Sequence, residues 1–279
     1  PMTEIPFGSE EAERVEEHGD GPATWRYESN HLGGILYAGN YIREDMEAGG
    51  ITIELYYGQK HQAVMEEAGL TDAVQAVVDY CTQHYGFPQA FGAEGSLKLI
   101  QSRVAGGGYA TAGASLMDEA DFTAANLGDA SKGAGAGQVM IHELVHQWWG
   151  LGNMFDIPEE NSPWSSEGLT VYTTYRIAKE LYGEEYAQKN YVDQWRQAVQ
   201  DYAQNFYVRH PEYLEKLPEE ARLTITNSLS QVRQYCEMPL KIWKAEQLVG
   251  GEEAMDQILY DLFNREIDYA YPYLTYQNF

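Results

Sequence analysis

The segment from Gln138 to Gly150 constrains the fold more than any other part of the chain. It places His142 and His146 four positions apart, with Glu143 beside the first of them. Residues four apart lie on one face of an α-helix, one turn from each other. A solvated helix would include lysine and glutamate. The positions around these residues are instead uncharged: Met140, Ile141, Leu144, Val145 and Trp148. The segment therefore predicts a buried helix that directs two imidazole rings to one point.

Two imidazoles presented in this way can bind zinc, and Glu143 is placed to act as a general base rather than as a ligand. An exposed polar helix face is the simpler alternative for the same pair of histidines. A catalytic zinc site also needs a third protein ligand and keeps a fourth position for water. The two histidines alone are therefore insufficient.

The third ligand must come from elsewhere in the chain, and Glu167 is the best candidate. Ser162 as N-cap and Pro163 at the first helical position predict a helix start, which puts Glu167 in the first turns of a second helix. The alternative is that Glu167 only favours the positive end of that helix. Weaker candidates lie in a proline-containing connection with no rigid element to direct them: Asp156, Glu159 and Glu160.

Patterning along the chain divides it into three parts. Residues 1–22 are acidic and polar, and we expect weak order there. Residues 23–138 are rich in strand patterns, with strands expected within 33–57 and at 97–104 around a helix at 61–85. Residues 139–279 have mainly helical patterns, with a break at Gly250 and Gly251. Strands first and helices second indicate an α+β fold, with a strand-rich lobe followed by a helical lobe.

The charge of the chain limits its partners. It has 18 Lys and Arg against 43 Asp and Glu, a net charge of −25. A strongly negative surface argues against binding nucleic acid or anionic lipid. It favours solubility above all, and it is also compatible with a cationic or peptide substrate. No stretch has the length and hydropathy of a membrane span.

A glycine-rich run follows the strand expected at 97–104. Its central residues are Gly107, Gly108, Tyr109 and Ala110. Glycines in such a run allow a ligand to approach the backbone closely, but they equally suit a flexible turn. These four residues are therefore candidates for binding a substrate.

Taken together, the motifs resemble those of the membrane alanyl aminopeptidase family of gluzincin metallopeptidases. That family has His-Glu-x-x-His-Gln-Trp-[Phe/Trp]-Gly followed by Trp-x-x-Glu-Gly, and the residues from His142 to Gly150 and from Trp164 to Gly168 match both patterns. The connection between them is slightly longer than in the family. The resemblance implies a thermolysin-like zincin fold, a zinc ion held by His142, His146 and Glu167, and hydrolysis of peptide bonds.

The resemblance also implies a role for Tyr235 and a difference in specificity. The family places a tyrosine shortly before a helix, and Tyr235 followed by Pro239 resembles that layout, with Tyr235 as a donor to the developing oxyanion. The family strand Gly-Ala-Met-Glu-Asn has a carboxylate for the free amine of the substrate, whereas Gly107 to Thr111 has none. We therefore do not expect strict aminopeptidase specificity.

Three interpretations remain at this stage. The first is a zinc peptidase. The second is a peptide-binding or sensing module with little turnover, similar to the peptidase-like extracytoplasmic regions of some bacterial ABC-type permeases, which would imply a membrane tether or transporter context and an extracytoplasmic location. Glu143 argues against this second interpretation, because a binding module has no use for a general base. The third is an unrelated helical protein with a chance motif, which would bind no metal.

Overall fold

The computed structural model describes residues 3–5, 13–16, 24–26, 37–68, 70–88, 96–103, 107–111, 113–121, 138–151, 164–266 and 279. The chain forms two compact units, residues 1–147 and 148–279. The first unit contains the described strands and the second is helical, which confirms the α+β prediction. The sequence patterns placed the change from strands to helices at 138/139. The helix that follows this position contacts elements of the first unit, and the unit therefore extends to Gln147.

A five-stranded mixed sheet forms the centre of the first unit. Its strands are β5 (Tyr41–Ala48), β6 (Ile51–Gly58), β7 (Ser96–Ser102), β8 (Gly108–Thr111) and β9 (Ala114–Asp118), in the order β5-β6-β7-β9-β8. The pairs β6-β7 and β7-β9 are parallel, while β5-β6 and β8-β9 are antiparallel. The interior strands β6 and β7 are largely buried, as expected of parallel strands covered on both faces. Both strands lie within the predicted segments except for one residue each, because β6 ends at Gly58 and β7 begins at Ser96.

In the parts of the chain that the structure describes, four short strands pair outside this sheet. They are β1 (Thr3–Ile5), β2 (Glu13–Glu16), β3 (Thr24–Arg26) and β4 (Tyr37–Gly39). β1 pairs with β4 and β2 pairs with β3, both antiparallel. β1 and β2 lie within residues 1–22, and the weak order expected for that segment stays a prediction.

The helices of the first unit connect and cover the sheet. They are a 3-10 turn (Gln59–His61), α1 (Gln62–Ala68), α2 (Leu70–Tyr85), a second 3-10 turn (Glu119–Asp121) and α3 (Gln138–Val145). α1 and α2 lie in the connection between the parallel strands β6 and β7, as such a crossover requires. α3 contacts α2, β8 and β9. This packing places the helix with the two histidines against the last two strands of the sheet.

A buried ion pair joins β6 to β7. Glu54 and Lys98 are each 1% exposed and are register partners in the parallel ladder. The Lys98 Nζ lies 3.6 Å from Glu54 Oε1, and Glu54 also accepts hydrogen bonds from Tyr56 and Ser96. A buried charge needs such partners because its loss of hydration is costly.

The described residues of the second unit form helices and three π-helical segments. Its elements are a π segment (Trp164–Gly168), α4 (Leu169–Tyr182), α5 (Glu184–Ala187), a π segment (Gln188–Val192), α6 (Asp193–Gln204), α7 (Phe206–Arg209), α8 (Pro211–Leu214), α9 (Glu219–Val232), a π segment (Arg233–Glu237), α10 (Met238–Val249) and α11 (Glu252–Phe263). The predicted break between α10 and α11 is confirmed: Gly250 and Gly251 both have positive φ, the region that glycine adopts without strain.

A buried arginine links three of these helices. Arg176 of α4 lies 3.3 Å from the Glu246 carboxylate of α10 and 3.0 Å from the Asp256 carboxylate of α11. Nearby, Lys179 lies 2.7 Å from Glu252. The guanidinium is almost completely buried, and its acidic partners compensate for lost hydration. Arg176 thereby fixes α4, which directly follows the segment that contains Glu167.

Candidate metal centre

The two histidines of the first unit are directed at one point. His142 lies in α3 and His146 one turn later, and the backbone hydrogen bond from His146 N to His142 O keeps the helical register across this turn. Their Nε2 atoms are 3.0 Å apart, and their rings are nearly perpendicular. Two nitrogens bound to one tetrahedral zinc at about 2.05 Å would be about 3.3 Å apart. The pair therefore has close to the geometry that a shared zinc ion requires.

Among the described residues, His142, His146 and Glu167 form a group that could hold a metal ion. Each offers one ligand atom, and these atoms all lie within 4.8 Å of one another. Two imidazole nitrogens with one carboxylate oxygen are a donor set of catalytic zinc sites with three protein ligands. The residues present thus fit the metal that the sequence predicted.

Glu167 lies at the beginning of the helical second unit. It is in the π segment Trp164–Gly168, which continues directly into α4. The predicted cap residues Ser162 and Pro163 lie outside the described residues, as do the weaker ligand candidates Asp156, Glu159 and Glu160. The next residue, Gly168, packs closely on α10: a Cβ at this position would lie 2.9 Å from the Cβ of Met238.

Glu143 is buried in α3 and faces the backbone of β8. A Cβ built on Gly108 would lie 2.7 Å from Glu143 Oε1 and 2.8 Å from its Cδ, closer than real carbon atoms approach. The Ser115 hydroxyl of β9 donates to the main-chain oxygen of Glu143 at 2.9 Å. Gly108 thus leaves the space that the carboxylate occupies, a role that the sequence run of glycines did not specify.

The predicted substrate-binding residues lie at one edge of the sheet. Gly108, Tyr109 and Ala110 belong to β8, and Gly107 directly precedes it with a positive φ. Side chains alternate along a strand, so Ala110 shares the face on which Gly108 meets Glu143, while Tyr109 points the other way and is 54% exposed. In the described part of the chain β8 pairs with β9 alone. Its second edge is the one that an extended peptide could join.

Tyr235 lies inside a continuous helical run rather than in a connection before a helix. The sequence placed it just upstream of a helix beginning near Pro239, but the π segment Arg233–Glu237 joins α9 to α10 without a break. The Tyr235 side chain is 38% exposed. Its π segment contacts the π segment that contains Glu167. The second unit therefore brings the segments of these two predicted site residues together.

Gln147 was missed as a functional residue. It directly follows His146, is fully buried, and its side-chain amide bonds to the backbone of the turn between β8 and β9. An amide side chain directly before the apolar pair Trp148 and Trp149 is the signal that could have identified it, because a buried amide must find partners.

Comparison with known proteins gives a consistent result. The model of the Peptidase family M1 domain matches residues 71–216, slightly more than half of the chain. Leukotriene A-4 hydrolase of Xenopus laevis is 30% identical over 115 residues, which are 41% of this chain and 18% of that protein. The chain therefore spans less than a fifth of this curated relative.

Solved structures agree with this match at the level of the fold. Yeast LTA4 hydrolase in complex with bestatin superposes with a TM-score of 0.64 at 16% identity, over 94% of this chain and 39% of that one. A variant of an M1 zinc metallopeptidase from Deinococcus radiodurans superposes with a TM-score of 0.57 at 18% identity, over 96% of this chain and 56% of that one. The predicted zincin-type α+β fold is thereby confirmed.

Proposed function

The chain belongs to peptidase family M1, and on this premise we propose that it hydrolyses peptide bonds with a zinc ion bound by His142, His146 and Glu167. The observation that carries the proposal is the convergence of three ligand atoms of the kinds that catalytic zinc uses. The neighbouring Glu143, buried on the same helix as His142, supports a catalytic rather than a purely structural metal.

In the proposed reaction, each residue has one task. When bound, zinc supplies a Lewis acid that polarises the scissile carbonyl and lowers the pKa of water. Glu143 accepts a proton from the attacking water and delivers it to the leaving amine. Tyr235 donates a hydrogen bond to the developing oxyanion, a contribution of about 3 kcal/mol for donors of this type. An extended substrate pairs its backbone with β8 at Gly108, Tyr109 and Ala110, and Gly107 lets the chain turn into this strand.

We propose a peptide substrate whose free amine is not required. The face of β8 that meets Glu143 presents Gly108 and Ala110, neither of which can neutralise an ammonium group. The comparisons agree with a peptide ligand in general, because one solved M1 metallopeptidase is described as bound to a Tyr-Ser-Ala substrate. The net charge of −25 makes nucleic acid an unsuitable partner.

A peptide-binding or sensing module with little turnover is the second candidate function. The same lack of an acidic side chain on β8 motivates it, because the site then lacks the residue with which an aminopeptidase of this family holds the substrate amine. A membrane-tethered, extracytoplasmic setting in a transporter belongs to this proposal and rests on the sequence resemblance alone. No helix in the described part of the chain is long and apolar enough to cross a membrane.

The decisive experiment combines metal analysis with a broad peptide-cleavage screen of the purified protein. The proposal expects one zinc per chain, cleavage that stops on chelation, and recovery on adding zinc. Glu167→Ala should bind zinc far more weakly, because two histidines leave the ion under-coordinated. Unchanged zinc affinity in that variant would disprove the third ligand. Stoichiometric zinc without cleavage of any peptide would favour the binding module.

A further inference from the structure

Gln147 lies in the turn that follows helix α3, and its side chain forms hydrogen bonds to the β8–β9 hairpin. Its Oε1 accepts a hydrogen bond from Gly113 N at 2.9 Å, and its Nε2 donates to Thr111 O at 2.9 Å. The same Nε2 lies 3.4 Å from Ala114 O and from Ser115 Oγ. A single buried carboxamide thus bonds to the backbone on both sides of the hairpin turn.

A carboxamide of this length serves both backbone groups at once. It donates to Thr111 O and accepts from Gly113 N, whereas a carboxylate offers acceptors alone. Gly113 has a φ of +76°, so the turn itself requires glycine. Because the turn is buried, either backbone group would lose a stabilising bond if the amide were removed.

The opposite end of β8 also lies against α3. Gly108 begins the strand and meets the Glu143 carboxylate, while Thr111 ends it and is held by Gln147. Ser115 adds a third connection through its bond to Glu143 O. These contacts all lie within the first unit. The short strand β8 is therefore fixed to α3 at both ends, and its position relative to Glu143 is set by α3.

We infer that Gln147 is a positioning residue that holds the open edge of β8 in register with Glu143. The inference rests on the proposed peptide hydrolysis, in which this edge pairs with the substrate backbone. A strand fixed in advance binds an extended peptide without a further ordering cost, and it holds the scissile peptide bond at a defined distance from Glu143. Loosening the strand should therefore impair binding of long substrates more than that of short ones.

The test compares Gln147→Met with a matched control, Gln101→Met. Methionine keeps the approximate length and volume of glutamine but forms neither strong hydrogen bond. Gln101 is also buried in the first unit, on β7, and also bonds to backbone, accepting from Gly58 N. Gln147→Asn is a milder second variant, which keeps the amide on a side chain that is shorter by one methylene group. Zinc content and cooperative unfolding are measured for each variant.

The first readout is amide hydrogen exchange over residues 107–116, which requires no catalysis. Exchange should accelerate about tenfold or more in Gln147→Met, because local opening loses its restraint, and should not change in Gln101→Met. Equal exchange in the wild type and Gln147→Met would overturn the inference, and so would equal acceleration in the control. The exchange rate in Gln147→Asn should lie between those of the wild type and of Gln147→Met. If Gln147→Met does not fold, a wild-type exchange rate in Gln147→Asn would count against the inference.

The second readout is cleavage of an N-acetylated hexapeptide against an N-acetylated dipeptide amide. In Gln147→Met the ratio of their kcat/KM values should fall about tenfold through the KM of the hexapeptide, with zinc content unchanged. An unchanged ratio in an active enzyme would refute the positioning role. If the wild type cleaves neither peptide, the proposed function fails, and hydrogen exchange still decides whether Gln147 holds the strand.

Discussion

Replacing Gly108 with alanine tests the arrangement of β8 and Glu143 directly. The backbone of Gly108 is not in the left-handed region, so alanine suits its conformation. The new Cβ would meet Glu143 Cγ most closely and would lie 2.7 Å from Oε1 and 2.8 Å from Cδ, whereas carbon atoms in contact are normally about 3.5–4.0 Å apart. The carboxylate or the strand must therefore move by about 1 Å.

A displacement of this size has a calculable consequence. Misplacing a catalytic group by about 1 Å can cost about a hundredfold in rate, and overpacking a buried site costs about 1–3 kcal/mol of stability. We expect Gly108→Ala to keep its zinc, to lose about 1–3 kcal/mol in urea unfolding, and to lose about a hundredfold in kcat. The assays are metal analysis, equilibrium unfolding and initial rates on a peptide substrate.

Gly39→Ala is the matched control for crowding in the first unit. Its added Cβ would meet the Tyr41 ring at 2.9 Å, and the three atoms nearest to it all belong to Tyr41 rather than to α3 or β8. We expect this variant to keep its turnover even if some stability is lost. Wild-type kcat in Gly108→Ala would refute the placement of Glu143 against β8, and an equal loss of kcat in Gly39→Ala would show that crowding alone explains the effect.

Three further predictions follow from the site and its support. Glu143→Gln should keep its zinc and lose at least about a hundredfold in kcat, because a base is removed and no ligand; loss of metal would show that the roles are misassigned. In a competition assay, N-acetylated peptides should be cleaved about as well as peptides with a free amine. This would be contradicted by a strict requirement for a free amine, if that requirement disappears when Glu159 and Glu160 are changed. Arg176→Met should lower the free energy of unfolding by about 3–5 kcal/mol in a urea titration, because Glu246 stays buried without its cation; a loss below about 1 kcal/mol would show that the carboxylate finds another partner.

The parts of the fold that were predictable are those with one strong local signal. β6 is rich in β-branched and aromatic residues, β7 has apolar side chains at Leu97, Leu99 and Ile100, and the two glycines after α10 end that helix. The spacing of His142 and His146 gives their common face directly. α9, by contrast, was not predicted: none of its residues is buried, and Thr224, Thr226 and Ser228 lower the helix propensity between its apolar positions.

The parts of the site that were not predictable depend on contacts distant in sequence. The space for the Glu143 carboxylate comes from Gly108, and the bonds of Gln147 reach backbone atoms more than thirty positions away. Tyr235 was selected by resemblance, but its place in a π-helical segment is not encoded by any residue pattern. π segments depend on packing around the helix and often occur at functional sites.

The ion pair between Glu54 and Lys98 has a consequence for how the sheet assembles. These residues oppose each other in one register of β6 and β7. If either strand slipped by one position, Glu54 and Lys98 would point to opposite faces of the sheet and would lose their direct contact. Glu54 also lies 3.5 Å from the Arg43 guanidinium, so the contact that is specific to this register is the one with Lys98. The pair thus favours one alignment of β6 and β7 over its neighbours, and a variant that lacks either charge should specify that alignment less strongly.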